Sequence, residues 1–435
     1  MKETIKTLLY EWKKRELPDS LDREIDLSDY LGTKPLKLIV ITGFRRVGKT
    51  YLLYNLMKRL LISDTKEEIV YLNFEDERIP LKTEFITVLL PTIKQLFEKP
   101  LKVLFLDEIQ NMPEWSKWLR RVYESEKIRI FVTGSSSKMS SKEIPTELRG
   151  RFFEVKVFPL TFNEFLTFRN LSFDLKVVDY VADEKTRLLK ALDEYLRYGA
   201  MPEVVLSNIT MKSEIINSYY QTVVRRDIIE RNKVENEEAL KALLRLLLNS
   251  TSYSISKLHH TLKSLNYPVG KATLQKYLSY IENAYFMFSV PIFSYKIKNQ
   301  LQYPRKVYFI DTGFINRIST KFSNDYGRLY ENIVAITLLR DTQDKEIYHW
   351  KQNNEEVDFV VKQDIKVKQL IQVCYDITDV ETKKRETRAL IRASQELKCK
   401  NLLVITEDYE ADTKISWFGT SRKIRFIPLW KWLLG

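Results

Sequence analysis

The feature that most constrains this chain is an octamer, Gly43-Phe-Arg-Arg-Val-Gly48-Lys49-Thr50, set between an apolar run and an amphipathic one. It matches G-x-x-x-x-G-K-[ST], and its surroundings fit the pattern: Lys37–Gly43 reads as a strand entering it and Thr50–Leu61 as a helix leaving it. Glycines let the backbone approach a ligand closely, and amides at a helix N-terminus surround phosphate oxygens. On this reading Gly43, Arg45, Arg46, Val47, Gly48, Lys49, Thr50 and Tyr51 form a nucleotide-binding segment. Lys49 would bridge the β- and γ-phosphates, and Thr50 would offer its hydroxyl to magnesium.

Three further runs, Glu68–Phe74, Lys102–Glu108 and Ile128–Gly134, are almost continuously apolar, as expected for parallel strands covered on both faces. A fifth strand is expected over Phe153–Leu160, followed by Thr161 as the N-cap of a helix through Asn170. The run Val103–Glu108 ends in Asp107-Glu108. At the carboxyl end of a sheet Asp107 can hold magnesium through water, and Glu108 can orient the attacking water as general base. The bland alternative is a buried strand with a solvated acidic end. Ser135, in Thr133-Gly-Ser135-Ser136-Ser137, has the reach to sense a γ-phosphate, though a plain turn explains the same residues. Arg149 and Arg151 are candidate cationic groups for transition-state charge, a role worth ~10³-fold or more. Whether either acts within the chain, across a subunit interface, or only pairs with carboxylates is open at this level. Arg225-Arg226-Asp227 is a further candidate. No Asn-Lys-x-Asp tetrad follows the sheet; Asn232-Lys-Val-Glu departs at its last residue, so ATP is expected rather than GTP.

The rest of the chain is more than one core can hold. At 435 residues, and ~150 per domain, about three domains are expected. Hydrophobic content of 44% and charge of 30% fit a folded, soluble protein. No apolar run approaches the ~20 residues of a membrane span, and the N-terminus reads as an amphipathic helix rather than a signal peptide. With two cysteines, no disulfide or zinc framework is expected, and the cytoplasm follows by default. His259, His260 and His349 have no ligand spacing around them, so the expected metal is nucleotide-bound magnesium alone.

The net charge of +13 is uneven: Thr251–Arg328 carries eleven Lys/Arg against three Asp/Glu, a surplus of eight. Such clustering is the electrostatic footprint of a nucleic-acid-facing module, or else a solvated basic surface. In the same region three helices (Glu237–Asn249, Ser254–Leu265, Ala272–Phe288) precede two β-like runs (Val290–Tyr295, Lys306–Ile310), a pattern that suits a winged helix. Lys271, Thr273, Gln275 and Lys276 would then open a recognition helix available to DNA. An ordinary helical packing domain is the competing reading.

The stretches GFRRVGKT, LFLDEIQ, VTGSSS, LRGRFFEVKVFPLTFNEFL, YGAMPEVV, YFIDTGFI, GRLYENIVA, EVDFVV, QVCYDI, RETRAL and IPLWKWLL together resemble AAA-type ATPases widespread in archaea and bacteria. These carry a C-terminal domain of unknown function with a restriction-endonuclease-like core. The resemblance covers most of the chain. It implies an α/β fold: an ASCE-type P-loop sheet with the catalytic glutamate on the strand beside the loop strand, then a helical lid, a winged-helix module and a nuclease-like tail. The expected divisions are 1–165, 166–235, 236–322 and 323–435. In a restriction-like core a helix glutamate, a strand aspartate and an E-x-K hold magnesium. Here Glu331 and Asp358 stand in the first two places, while Gln372-Val-Cys374 replaces E-x-K, with Lys383 or Lys384 as migrated lysines. A degenerate site is therefore expected.

The leading expectation is an ATPase that couples Mg-ATP hydrolysis to conformational change on DNA. A slow nucleotide-dependent switch for protein partners is the alternative, and an ATP-gated nuclease a third. A homo-oligomer is allowed by all three.

Overall fold

Five apolar runs pair into a parallel sheet: β1 (Leu38–Gly43), β2 (Ile69–Asn73), β3 (Val103–Asp107), β4 (Arg129–Gly134) and β5 (Phe152–Val157), in the order β2-β3-β4-β1-β5. The computed structural model describes residues 1–135, 146–319, 325–341, 344–417 and 419–435. Ser136, Ser137 and the boundary expected at 322/323 lie outside the described residues. Every residue of β1, β3 and β4 is buried, which is why their sequences read as unbroken apolar runs. One implied feature needs correction. The Asp107-Glu108 strand is not beside the loop strand, because β4 lies between them, pairing with β1 on one side and β3 on the other. The insertion places Thr133 of β4 at the same sheet end as the loop and the acidic pair.

Helices α1 (Lys2–Lys14), α2 (Lys49–Leu60), α3 (Thr83–Leu96) and α4 (Trp115–Ser125) accompany this sheet. In α1 the buried residues are Ile5, Leu9 and Trp12, one helical stripe. Trp12 Nε1 donates to the Ile69 carbonyl at 2.8 Å, tying α1 to β2, an edge strand of the sheet.

The chain divides into two compact units, Met1–Phe158 with Asn283–Tyr285, and Pro159–Glu282 with Phe286–Gly435. The second begins with α5 (Phe162–Phe168), where Thr161 and Glu164 form a reciprocal capping box. Helices α6 (Ala182–Tyr198), α7 (Pro202–Leu206) and α8 (Ile209–Thr222) follow, and α8 runs into a wide π-helical stretch, Val223–Glu230.

Next come α9 (Glu237–Leu248), β6 (Ser252–Tyr253), α10 (Ile255–Ser264), α11 (Lys271–Asn283), β7 (Met287–Val290), α12 (Ile297–Gln302) and β8 (Arg305–Phe309). The three strands form an antiparallel sheet in the order β6-β8-β7. Helix α11 ends before the expected Phe288, because Tyr285 takes a left-handed φ of 56° and Met287 already pairs with Phe309.

After α13 (Thr312–Ile318) and α14 (Tyr326–Arg340), a mixed six-stranded sheet closes the chain. Its strands are β9 (Lys345–Gln352), β10 (Glu355–Gln363), β11 (Lys366–Val373), β12 (Leu402–Thr406), β13 (Ala411–Trp417) and β14 (Thr420–Pro428), in the order β13-β14-β12-β11-β10-β9. Helix α15 (Val380–Glu396) lies between β11 and β12 in sequence, and α16 (Leu429–Leu434) ends the chain. Among the described residues no helix is long and apolar enough to cross a membrane.

Candidate functional site

The loop between β1 and α2 is shaped by its glycines. A Cβ on Gly43, whose φ is +149°, would meet the Val157 carbonyl oxygen at 2.2 Å, so no larger residue fits beside β5. Gly48 caps α2 with a left-handed φ of 97°. Arg23 braces the loop from outside, donating to the carbonyls of Val47 and Phe158 at 3.0 Å each. Lys49 is buried and curls back onto its own loop, donating to the carbonyls of Gly43 and Phe44 at 3.2 Å. Val47 is buried, Arg46 and Tyr51 are exposed, and Arg45 pairs with Glu75 at 3.2 Å.

Thr50, Asp107 and Glu108 are brought together here. The Thr50 hydroxyl donates to Asp107 Oδ2 at 2.8 Å. Asp107 also accepts from the Tyr71 hydroxyl at 2.9 Å and from Thr133. Burial raises the Asp107 carboxyl above its usual range, with the charge of Glu108 acting the same way against these hydroxyl donors. Glu108 follows in a left-handed conformation, φ 53°, which swings it out of the strand direction. Its amide donates to Thr133 Oγ1 at 2.9 Å. Its carboxylate accepts from the Ser135 amide and hydroxyl at 3.1 Å each and from Gln110 at 2.5 Å, and lies 3.5 Å from Lys49 Nζ. Burial acts to raise Glu108, but Lys49 and these donors outweigh it and hold the group below its usual range.

Sequence reasoning passed over Tyr71 and Gln110 of this cluster, and quoted Thr133 only within the hydroxyl-bearing Thr133–Ser137 stretch, with no role at Asp107. The available signal was a polar side chain inside a buried apolar run, which describes both Tyr71 in β2 and Thr133 in β4. Ser135 was singled out as a phosphate sensor; it sits against the Glu108 carboxylate.

The arginine candidates are placed differently. Arg151 pairs with Glu124 of α4 at 3.2 Å and with the Glu147 carbonyl, while Arg149 is exposed. In the second unit, Arg225 pairs with Glu230 at 3.0 Å, Arg226 is exposed, and Asp227 is buried against Arg231.

On α11, Leu274, Tyr277, Leu278 and Ile281 are buried, leaving Lys271, Gln275 and Lys276 exposed and Thr273 half-buried. Lys271 Nζ reaches Ser256 on α10 at 3.3 Å.

In the C-terminal sheet, Glu331 of α14 and Asp358 of β10 do converge, on Lys306 of β8. A register break between Val357 and Val360 brackets Asp358. Gln372 of β11 accepts from the Asp358 amide at 3.1 Å and donates to Glu386 of α15 at 2.6 Å. Cys374 is buried, which pushes its thiol up to about 12. Neither expected migrant lysine arrives: Lys383 bonds the Tyr409 hydroxyl at 2.9 Å above that ring, and Lys384 pairs with Glu381 in solvent. Both are held by partners at the solvent face of α15.

The sheet order, the G-x-x-x-x-G-K-T loop and the Thr50–Asp107–Glu108 grouping define a P-loop ATPase of the AAA type, and a family model described as an AAA domain matches residues 36–166. Two domains of unknown function match residues 189–325 and 326–431. The uncharacterized protein MJ1544 of Methanocaldococcus jannaschii is 37% identical over 412 residues, covering 92% of this chain and 89% of its own, and the chain belongs to its family. An uncharacterized protein of Haemophilus influenzae is 29% identical over 405 residues, covering 91% and 95%. A Walker-type ATPase of Pyrococcus abyssi aligns at 15% identity and a TM-score of 0.45, covering 69% of this chain and 96% of that one.

Proposed function

We propose that this chain binds and hydrolyses ATP and couples the cycle to conformational change on nucleic acid. The observation that carries this reading is the 2.8 Å bond from the Thr50 hydroxyl to Asp107, directly after the loop. A hydroxyl and a buried carboxylate so paired are the donor set that suits a magnesium ion on the phosphates, with Asp107 acting through water. Bound nucleotide supplies the phosphoryl group and the negative charge that Lys49 neutralises. Lys49 would exchange its bonds to Gly43 and Phe44 for phosphate oxygens, and Glu108 would take the proton of the attacking water. Arg149 is the better of the two nearby arginines for transition-state charge, because Arg151 is already engaged with Glu124.

The nucleic-acid part rests on the second unit. The α9-β6-α10-α11-β7-β8 succession with its antiparallel β6-β8-β7 sheet supports a winged-helix reading. Lys271, Gln275 and Lys276 stand on the exposed side of the helix that such a module lays in DNA. The tail is read as a restriction-nuclease-like core without nuclease activity, since Gln372 and Cys374 fill the E-x-K places and both are buried in other bonds.

One observation favours a slow switch for protein partners as second reading. The Glu108 carboxylate is engaged by Ser135 and Gln110, and must leave them before it can serve as base.

ATP hydrolysis by wild type and Lys49→Ala, with and without duplex and branched DNA over a salt series, tests the proposal. Turnover that requires Lys49 and rises with DNA at low salt is expected. Turnover indifferent to DNA, with ADP retained through purification, would transfer the case to the switch.

A further inference from the structure

The Lys306 ammonium is buried and lies 2.8 Å from Glu331, 2.8 Å from Glu356 and 2.6 Å from Asp358. These carboxylates come from α14 and β10, whereas Lys306 comes from β8, outside the tail sheet. Tyr308, two residues along the same strand, donates to Glu331 at 2.7 Å, and the Val373 amide donates to the second oxygen of Asp358 at 2.8 Å. Every member is thus satisfied from within the protein, the condition for burying such charges at all. Burial and the Lys306 charge together push the neighbouring His349 down to about 4, so the further cation at the cluster is Lys351, which pairs with Glu356 at 2.8 Å from the outer side.

We propose that Lys306 is a resident cation, its ammonium filling the place of a divalent metal among Glu331, Glu356 and Asp358 and so closing the nuclease-like site. The proposal rests on the nuclease-like reading only for the identity of the displaced ion. Three carboxylate oxygens within 3 Å of one point are a hard-oxygen donor set for Mg²⁺ or Mn²⁺. The ammonium offers three donors and one positive charge to those same oxygens. A lysine serving a reaction would keep one face open to water and substrate; this one spends its donors on three carboxylates. With Lys306 in place, no group of three His, Cys, Asp or Glu side chains among the described residues is arranged to hold a metal ion, so the three carboxylates would have to close in on the ion once the ammonium is gone.

The test is Mn²⁺ binding without nucleotide, followed by loss of the free-ion electron paramagnetic resonance signal, in wild type and Lys306→Met. Any ion weakly held at the phosphate loop is common to both. Lys306→Met should bind one Mn²⁺ at least ten-fold more tightly than any second-unit site of the wild type, and Mn²⁺ should raise its melting temperature selectively. Adding Asp358→Asn should abolish both effects. If Lys306→Met does not accumulate as folded protein, Lys306→Met/Glu356→Gln removes one charge of each sign and keeps Glu331 and Asp358. That pair should still outbind the wild type. Folded variants that bind Mn²⁺ no better than wild type overturn the proposal. Plasmid cleavage by the wild type that Lys306→Met destroys overturns it too, leaving Lys306 a catalytic lysine and the nuclease-like reading intact. Mn²⁺ binding by Lys306→Met supports the proposal whether or not DNA is then cut, and cleavage by that variant decides the nuclease-like reading separately.

Discussion

The Tyr71 hydroxyl donates to Asp107 Oδ2 at 2.9 Å from the adjacent strand, so the carboxylate proposed to serve magnesium is aimed partly by a residue outside every phosphate-loop motif. Tyr71 is itself fixed by Trp12 and Tyr54, with ring centroids 5.7 and 5.6 Å away. Tyr71→Phe keeps this packing and removes one hydrogen bond to a buried charged group, an interaction of about 1.5–3 kcal/mol. The expected result is a several-fold rise in the Mg²⁺ concentration for half-maximal ATP hydrolysis, with folding retained. An unchanged Mg²⁺ dependence beside a lowered melting temperature would make Tyr71 a packing residue only.

Gly199 and Asp311 are locked together. Gly199 has a left-handed φ of 77°, and a Cβ there would fall 1.6 Å from Asp311 Oδ1. That oxygen cannot retreat, because Gly313 donates to it at 2.8 Å while Ala200 holds Oδ2 at 2.7 Å. Gly199→Ala is therefore expected to cost several kcal/mol, at the extreme end of single substitutions, roughly 4 kcal/mol or more. Gly32→Ala, with nothing within 4 Å of its Cβ, is the control and should be near neutral. Urea unfolding of both variants checks the contrast.

Asp311 gives the second unit a pH signature. Burial pushes its carboxyl up to about 6, against the two amides that donate to it. A carboxyl whose native value lies above its unfolded value of roughly 4 favours folding while protonated. Its contribution is fully present below about pH 4 and is lost as the pH rises through about 6, for a total of up to roughly 3 kcal/mol. The stability difference between wild type and Asp311→Asn should therefore fall between pH 4 and pH 7 in urea titrations. A difference constant across that range would show that Asp311 stays ionised in the fold.

How much of this was legible beforehand follows from where each partner lies in the chain. Lys49, Thr50, Asp107 and Glu108 sit in short motifs with local grammar, and the strands around them read as apolar runs because both faces are covered. Thr133 and Tyr71 stand out locally only as polar side chains in apolar runs; that both bond Asp107 is set by register across strands. Residues Gly199 and Asp311 lie in two stretches quoted for the family resemblance, yet their contact spans more than a hundred positions. Lys306 illustrates the limit most clearly. Sequence spacing pointed to Lys383 and Lys384, nearest to the Gln372-Val-Cys374 strand, whereas the cation reaches Asp358 from 52 positions upstream. Strand β13 was missed because its alternating half-exposed residues, Ala411–Trp417, carry no apolar run.

The exposed side of α11 makes a prediction that separates phosphate contact from packing. Lys271, Gln275 and Lys276 are exposed, and Leu274, Tyr277 and Leu278 hold the helix down from the other side. If this face lies on duplex DNA, each lysine neutralises about one phosphate, and each removal should lower the slope of log affinity against log salt by about 1. Lys271→Ala/Lys276→Ala should then lose about two units of slope, weaken binding uniformly across sequences, and leave the DNA-free ATPase rate unchanged. Lys384→Ala, at a lysine paired in solvent on α15, is the control for charge lost away from α11 and should leave the slope as it is. Equal slopes for the double variant and the control would exclude α11 as the DNA-facing element. Positive charge elsewhere between Thr251 and Arg328, such as exposed Lys257 and Lys263 on α10, would then be the next face to test.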